Sequence, residues 1–445
     1  MFTLPHLTES SNWKASNMNP FTFGNPIKDP ARFIGRKTEI RQIVNRLLSS
    51  AHESTSIIGE RRMGKTSLLA YLANQEIATG FGLTPDKFCP VYVDFQGLTD
   101  ITPQRFWQRI FKKMTRSIRD ENLIPAIKEI SDLDEFDLFD LEDLFEAIND
   151  KGLTTILFMD EFEYVTQNPN FRGDFFGGLR ALAIHHGLAL VPATRRELVD
   201  LCHSEELKGS PFFNIFANVV LRPFDRVDVD EMIREYLKDT EFLCSTKDQD
   251  FLWELGGGYP FFVQMAGHYL IEGKQQGLDG NALNTFTVSH FNEQADSHYM
   301  YLWSHSSESE KITALVLLTL GMQKPSKKNS PSLQNLSEVR PRASQDLVNL
   351  GKRGLVDERD GLYTFFSPTL AHWIRNEILA APGEEESQST AEEWVKSGGQ
   401  QEVKEAASVL PRFRKKYWPV VGEFVQELSM KIAVDGAVHM LTTLM

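Results

Sequence analysis

The sequence predicts an α/β fold: a three-layer parallel sheet carrying a phosphate-binding loop, followed by smaller, mainly helical domains. Three observations predict it. Gly59-Glu60-Arg61-Arg62-Met63-Gly64-Lys65-Thr66 fills every position of the pattern G-x-x-x-x-G-K-[ST]. Apolar, β-prone runs at Thr55–Ile58, Val91–Phe95, Thr154–Met159, Leu188–Pro192 and Asn218–Leu221 alternate with helical periodicity, as at Lys37–Leu48 and Arg105–Ile118. One of those runs ends in Asp160-Glu161, two carboxylates at a strand's C-terminal end, where open α/β sheets place ligands.

The bulk properties set the frame. At 445 residues the chain holds two or three domains, and 41% hydrophobic with 24% charged residues is ordinary for a globular protein. A formal net charge of −14 argues against broad, nonspecific nucleic-acid binding. Cys89, Cys202 and Cys244 lie far apart without metal-ligand spacing, so they read as free thiols in a reducing compartment. No basic stretch leads into an apolar run at the N-terminus, and nowhere do enough apolar residues follow one another to span a bilayer. The expected location is cytoplasmic. No repeat array is visible.

In chain order, residues 1–30 are rich in Asn, Ser and Pro and read as an extended arm lying on the domain that follows. Residues 31–221 form the nucleotide-binding α/β domain. In its loop the glycines Gly59 and Gly64 let the backbone N–H groups of Glu60, Arg61, Arg62 and Met63 turn inward around phosphates. Lys65 would reach the β- and γ-phosphates, the Thr66 hydroxyl would ligate Mg²⁺, and Ser67 opens the following helix. About ninety residues downstream, Asp160 is the second candidate Mg²⁺ ligand, and Glu161 the group that polarises an attacking water. The run Leu188–Ala193 ends in Thr194-Arg195-Arg196, where Thr194 could sense a γ-phosphate and Arg195 neutralise charge developing on it. The same arginines could equally be structural salt-bridge partners. An acidic stretch between Ile130 and Asp150 is either a docking surface for a basic partner or a solvated face before an amphipathic helix.

Residues 222–306 turn mainly helical, and 307–379 read as helix, helix and a short hairpin, the outline of a winged helix. A Pro/Gly/Glu/Ser linker follows at 380–390, then a helical tail at 391–445. The tail's Arg412-Phe413-Arg414-Lys415-Lys416-Tyr417-Trp418 cluster, next to an amphipathic helix, suits packing or oligomerisation. Peripheral membrane contact is the weaker alternative, because Glu423, Glu427 and Asp435 are embedded in it.

These residues together resemble the STAND ATPases, the signal-transduction branch close to AAA+ proteins. Phe33-Ile34-Gly35-Arg36 with Glu39 is similar to that family's hhGR-x-x-E signature, Thr194-Arg195 to its strand-end arginine motif, and Gly258-Tyr259-Pro260 to its GxP motif. The resemblance spans roughly Pro20 to Ile378. It implies a P-loop NTPase sheet of AAA+/STAND type, a helical lid, a winged helix and a helical tail. It also implies that ATP or ADP with Mg²⁺ binds, that Ile34, Gly35 and Arg36 flank the nucleotide, and that Tyr259 and Pro260 lie at the base, with Pro260 capping it. The function implied is a slow ATPase switch in bacterial signalling or defence, assembling into a homo-oligomer with ATP and answering to a protein partner or sensor in trans. The family's usual sensor repeats and effector domain are not evident. Two alternatives stand beside it: a DNA-associated AAA+ ATPase using the winged helix, which the acidic charge disfavours, and a non-hydrolysing nucleotide-bound adaptor.

Overall fold

The computed structural model describes residues 18–202, 211–322 and 330–379. The expected linker, the tail with its basic-aromatic cluster, and the first part of the arm lie outside the described residues. The chain divides into two compact units, Thr22–Asp239 and Met1–Phe21 with Thr240–Met445.

The first unit is built on five parallel strands, β1 (Thr55–Ile58), β2 (Phe88–Asp94), β3 (Thr154–Asp160), β4 (Leu188–Thr194) and β5 (Ala217–Val220), in the order β2-β3-β4-β1-β5. Every residue of β1, β3 and β4 is buried, as expected of strands covered on both faces. β2 starts three residues earlier than its apolar run suggests, because Phe88-Cys89-Pro90 continues it. Pro90 fits there because β2 is an edge strand, with a side on which a missing N–H breaks no ladder bond.

One face of the sheet carries an aromatic core. The helix Pro103–Ser117 starts at Thr102, whose hydroxyl accepts from the Arg105 amide, with Pro103 in the first turn. It buries Phe106, Trp107, Ile110, Phe111 and Met114, a stripe at helical spacing. Phe106 stacks on Phe95 at 5.0 Å and meets Phe171 and Phe175 edge-on. Truncating such a ring to alanine costs about 3–5 kcal/mol. The acidic stretch runs from the end of the helix Ile124–Asp132 through the whole of the helix Leu138–Asn149. Two of its carboxylates form a capping box: Asp137 accepts from the Phe139 and Asp140 amides, and Asp140 accepts from the Asp137 amide.

The helix Arg226–Leu237 belongs to this first unit, so the boundary falls at Asp239, later than the change in sequence pattern at 221/222. Its contacts explain why. Phe224, just before it, packs on Gly35 and under the Arg36 guanidinium, Glu231 pairs with Lys37, and the Tyr236 hydroxyl donates to the Arg32 carbonyl. The arm also divides. Within the first unit the Ile27 amide donates to the Ser67 hydroxyl and Arg62 donates to the Gly24 carbonyl. Phe21, in the second unit, fills the notch left by Gly267, and Asn19 donates to the His268 carbonyl.

In the second unit the helices Thr246–Gly256, Pro260–Gln275 and Gly280–Ser304 come first. Helices Glu308–Met322, Leu333–Val339 and Ala343–Lys352 follow, then an antiparallel hairpin of β6 (Val356–Arg359) and β7 (Leu362–Phe365). Asp360 and Gly361 both have positive φ, the requirement of a tight two-residue turn. The parts of this unit are tied by Ser367, which donates to the Leu255 carbonyl, and by Trp373, whose indole donates to Asp296. Gly257 is obligatory: its φ is +57° and a Cβ there would lie 1.8 Å from the Phe366 carbonyl oxygen.

Candidate functional site

Strand order builds the site. β4 runs between β1 and β3, so its tip lies between the loop that leaves β1 and the carboxylates that leave β3. The Gly59 amide donates to the Thr194 carbonyl, and the Phe162 amide to the Ala193 carbonyl, which fixes both flanks to the end of β4. Lys65, Thr66, Asp160, Glu161, Thr194 and Arg195 therefore converge on one corner of the sheet.

The loop 59–66 bends through positive φ at Arg62 (68°) and Gly64 (93°), then enters the helix Lys65–Ala73. That helix has no side-chain cap, so its first amides face the loop, the arrangement that suits an anion. The Lys65 ammonium is buried and donates to the Gly59 carbonyl at 2.9 Å and the Glu60 carbonyl at 3.4 Å. Arg61 and Arg62 are exposed, and Met63 is fully buried. Arg36 braces this loop from below. It is buried, has φ 61°, and donates to the carbonyls of Met63 and Arg222 and to Glu39. Its guanidinium thus holds the loop's backbone. Ile34 and Gly35 line a groove of about 540 Å³ along the helix Lys37–Leu47, together with Phe33, Tyr71 and Phe81. No residue of the phosphate loop lines that groove.

At the end of β3, Asp160 is almost fully buried. Its carboxylate accepts from the Tyr92 hydroxyl at 3.0 Å and from the Glu161 amide at 3.1 Å, and it also bonds the Thr66 side chain. Burial pushes its pKa above the ordinary aspartate value, against the opposing pull of Thr66 and Tyr92. Glu161 has φ 51°, a conformation that costs a non-glycine residue about 1–3 kcal/mol and is concentrated at functional sites. Its carboxyl is also held above its usual value, chiefly by burial and then by Glu163, with Lys65 and Arg195 pulling the other way. Glu163 is buried and pairs through Oε1 with Arg195 Nε at 2.9 Å. Thr194 is fully buried, and its hydroxyl donates to the Arg196 carbonyl.

A model of the Novel STAND NTPase 2 family matches residues 39–321, well over half of the chain. The chain belongs to this family. No curated protein matches its sequence. Among solved structures, the Walker-type ATPase of Pyrococcus abyssi is 18% identical and aligns over 79% of this chain and 98% of its own, with a TM-score of 0.51. The ORC2 protein of Aeropyrum pernix is 15% identical over 76% of this chain and 92% of its own, with a TM-score of 0.47. The first of these likenesses bears on the fold.

For this STAND NTPase, the residues at the corner suit a divalent ion. Thr66 and Asp160 offer adjacent oxygen donors. That donor set fits Mg²⁺, which keeps waters and phosphates as ligands and seldom sits in an all-protein cage. Tyr259 and Pro260 belong to the second unit. Pro260 is the first residue of the helix Pro260–Gln275, and the buried Tyr259 ring packs against Phe262 and Phe366. Sequence reasoning missed Tyr92 and Glu163. The signal for Glu163 was present in the third acid of Asp160-Glu161-Phe162-Glu163; nothing local marks Tyr92, whose partner lies across the ladder from its own strand.

Proposed function

We propose that this STAND NTPase is an ATP-binding, slowly hydrolysing switch whose ADP and ATP states differ in domain arrangement and assembly. The observation that carries the reading is the convergence of Lys65, Asp160, Glu161 and Arg195 at the tips of β1, β3 and β4. The phosphates lie at the loop 59–66 and the start of its helix, where Lys65 exchanges its carbonyl partners for phosphate oxygens. Thr66 and Asp160 would hold Mg²⁺, which supplies charge neutralisation for the phosphates when bound. Glu161, within electrostatic reach of Lys65 and Arg195, orients the attacking water, and Arg195 with Lys65 neutralises the transferring phosphoryl group. Arg36, Ile34 and Gly35 flank the nucleotide, and Thr194 reports the γ-phosphate. In this reading residues 307–379 are a winged helix that responds to the nucleotide, and the chain works in bacterial signalling or defence with a protein partner in trans.

Such a switch requires that γ-phosphate contacts bias a two-state arrangement. Mass measurement of the full chain with ADP, with ATP, and of Glu161→Gln with ATP tests it. A discrete oligomer with ATP, persistent in Glu161→Gln and reversed by ADP, is expected. The same monomer–oligomer distribution in all three would sink the reading.

A further inference from the structure

The corner contains one charged group that phosphate chemistry does not require. Glu163 heads the short helix Glu163–Thr166 immediately after the Asp160-Glu161 turn, and its side chain is only 2% exposed. Oε1 takes the Arg195 Nε, whereas Oε2 is buried without a hydrogen-bond partner. Beside the Glu161 carboxyl, which also bonds it, this buried carboxylate has Arg195 as its cation, and losing a buried cation partner is costly because it strands the charge. Arg195, in contrast, is 31% exposed. The ion pair therefore joins a fixed, buried acid to an arginine at the rim of the site.

We propose that Glu163 is a positioning residue that parks Arg195 and makes its transfer to phosphate conditional on a terminal phosphoryl group. This rests on the nucleotide-switch reading above. Glu161 feels the charge of Glu163 and, in the opposite sense, the charges of Lys65 and Arg195, so the ion pair lies within electrostatic reach of the group placed beside the terminal phosphate. A diphosphate engaged by the loop amides and Lys65 leaves Arg195 with Glu163. A triphosphate places its extra charge toward the tip of β4, where a guanidinium fork can bind it bidentately and offset the loss of Glu163. Glu163 thus sets the threshold that separates ATP from ADP, acting through Arg195 and touching no ligand itself.

The test is the ratio of ADP to non-hydrolysable ATP-analogue dissociation constants, measured by calorimetry on the full chain with Mg²⁺. Glu163→Gln keeps shape and removes the competing charge; it is expected to tighten the ATP analogue about tenfold and leave ADP unchanged. Arg195→Ala should lower the preference for the triphosphate, and in that background Glu163→Gln should no longer tighten the ATP analogue. Should Glu163→Gln fail to fold, Arg195→Lys serves instead. It keeps the charge but not the fork, and is expected to lower discrimination.

Unchanged dissociation constants in a folded Glu163→Gln variant, with a lowered melting temperature alone, would reduce the pair to a structural salt bridge and overturn the proposal. An unchanged ratio in Arg195→Lys would do the same. If the wild-type chain bound neither nucleotide, the switch reading itself would fail. The two failures are therefore distinguishable.

Discussion

Two regions of the molecule bury charged side chains, and they treat them differently. In the second unit, Arg353 is 8% exposed and donates to the Ser306 hydroxyl, the Glu310 carboxylate and the Leu302 carbonyl. Nearby, buried Asp346 accepts from the hydroxyls of Ser309 and Thr313. At the corner of the first unit, Glu163 keeps an oxygen without a donor, Glu161 sits at positive φ, and Asp160 is held above its usual pKa. At Arg353 and Asp346 the buried charge that holds the fold has several partners each, although Glu308 and Arg340 of the same unit each keep a buried polar atom without a hydrogen bond. Buried charge that waits for a ligand is left with unspent bonding capacity and strain.

The largest expected effects come from exchanging a residue of each kind. Glu161→Gln should lower the hydrolysis rate about 10²–10⁴-fold, the usual contribution of a general base, with no loss of melting temperature, since it removes a charge that burial and Glu163 both disfavour. Arg353→Ala should do the reverse. It leaves Glu310 buried without its cation, the Ser307 amide remaining, and should cost about 3–5 kcal/mol of stability in denaturant titration. Nucleotide affinity per folded molecule should be unchanged. If both variants lost stability equally, the distinction between the two regions would collapse.

Tyr92→Phe probes the seam between the two behaviours, because Tyr92 is a structural partner of a functional acid. Removing its hydroxyl takes one donor from Asp160, and about 1 kcal/mol of stability should go with it. The hydrogen bond lowers the Asp160 pKa, so its loss raises that pKa further. More of the carboxyl is then protonated at a given acid pH. The acid limb of a nucleotide-hydrolysis profile should therefore move to higher pH, with a larger Mg²⁺ requirement. A stability loss with an unmoved acid limb would make Tyr92 purely structural.

These contrasts also explain what the sequence could and could not reveal. The phosphate loop was legible because its glycines answer a local backbone demand, met within eight residues. The acids Asp160 and Glu161 were legible because they end an uninterrupted apolar run. Strand order was not legible: that β4 lies between β1 and β3 is a matter of long-range pairing, and Thr194-Arg195 owes its place to it. The same holds for the helix Arg226–Leu237. Its periodicity announces a buried face but not that Phe224 and Tyr236, around and within it, meet Arg36 and Arg32. Arg36 stands in a recognisable motif, yet its grip on the Met63 carbonyl is a long-range contact that no local pattern announces. Glu163 was overlooked because an acid after a strand is ordinarily solvated.

The smallest expected effect concerns a group with neither ligand nor partner chemistry. Cys89 lies in edge strand β2 and is 1% exposed, and burial pushes its thiol up to about 12 from the ordinary 9.0. Thiolate is the reactive form, so Cys89 should resist alkylation in the native chain at pH 8 and react once denaturant is added. Mass spectrometry of tryptic peptides would show this. The shift also carries a sign. Above pH 9 the unfolded chain loses a proton that the folded chain retains, so stability should fall as pH rises from 9.0 toward about 12. Cys89→Ala removes that component of the alkaline slope. An identical slope in the variant would mean that β2 opens readily enough to expose its thiol, and that the edge of the sheet nearest Tyr92 and Asp160 is softer than its burial implies.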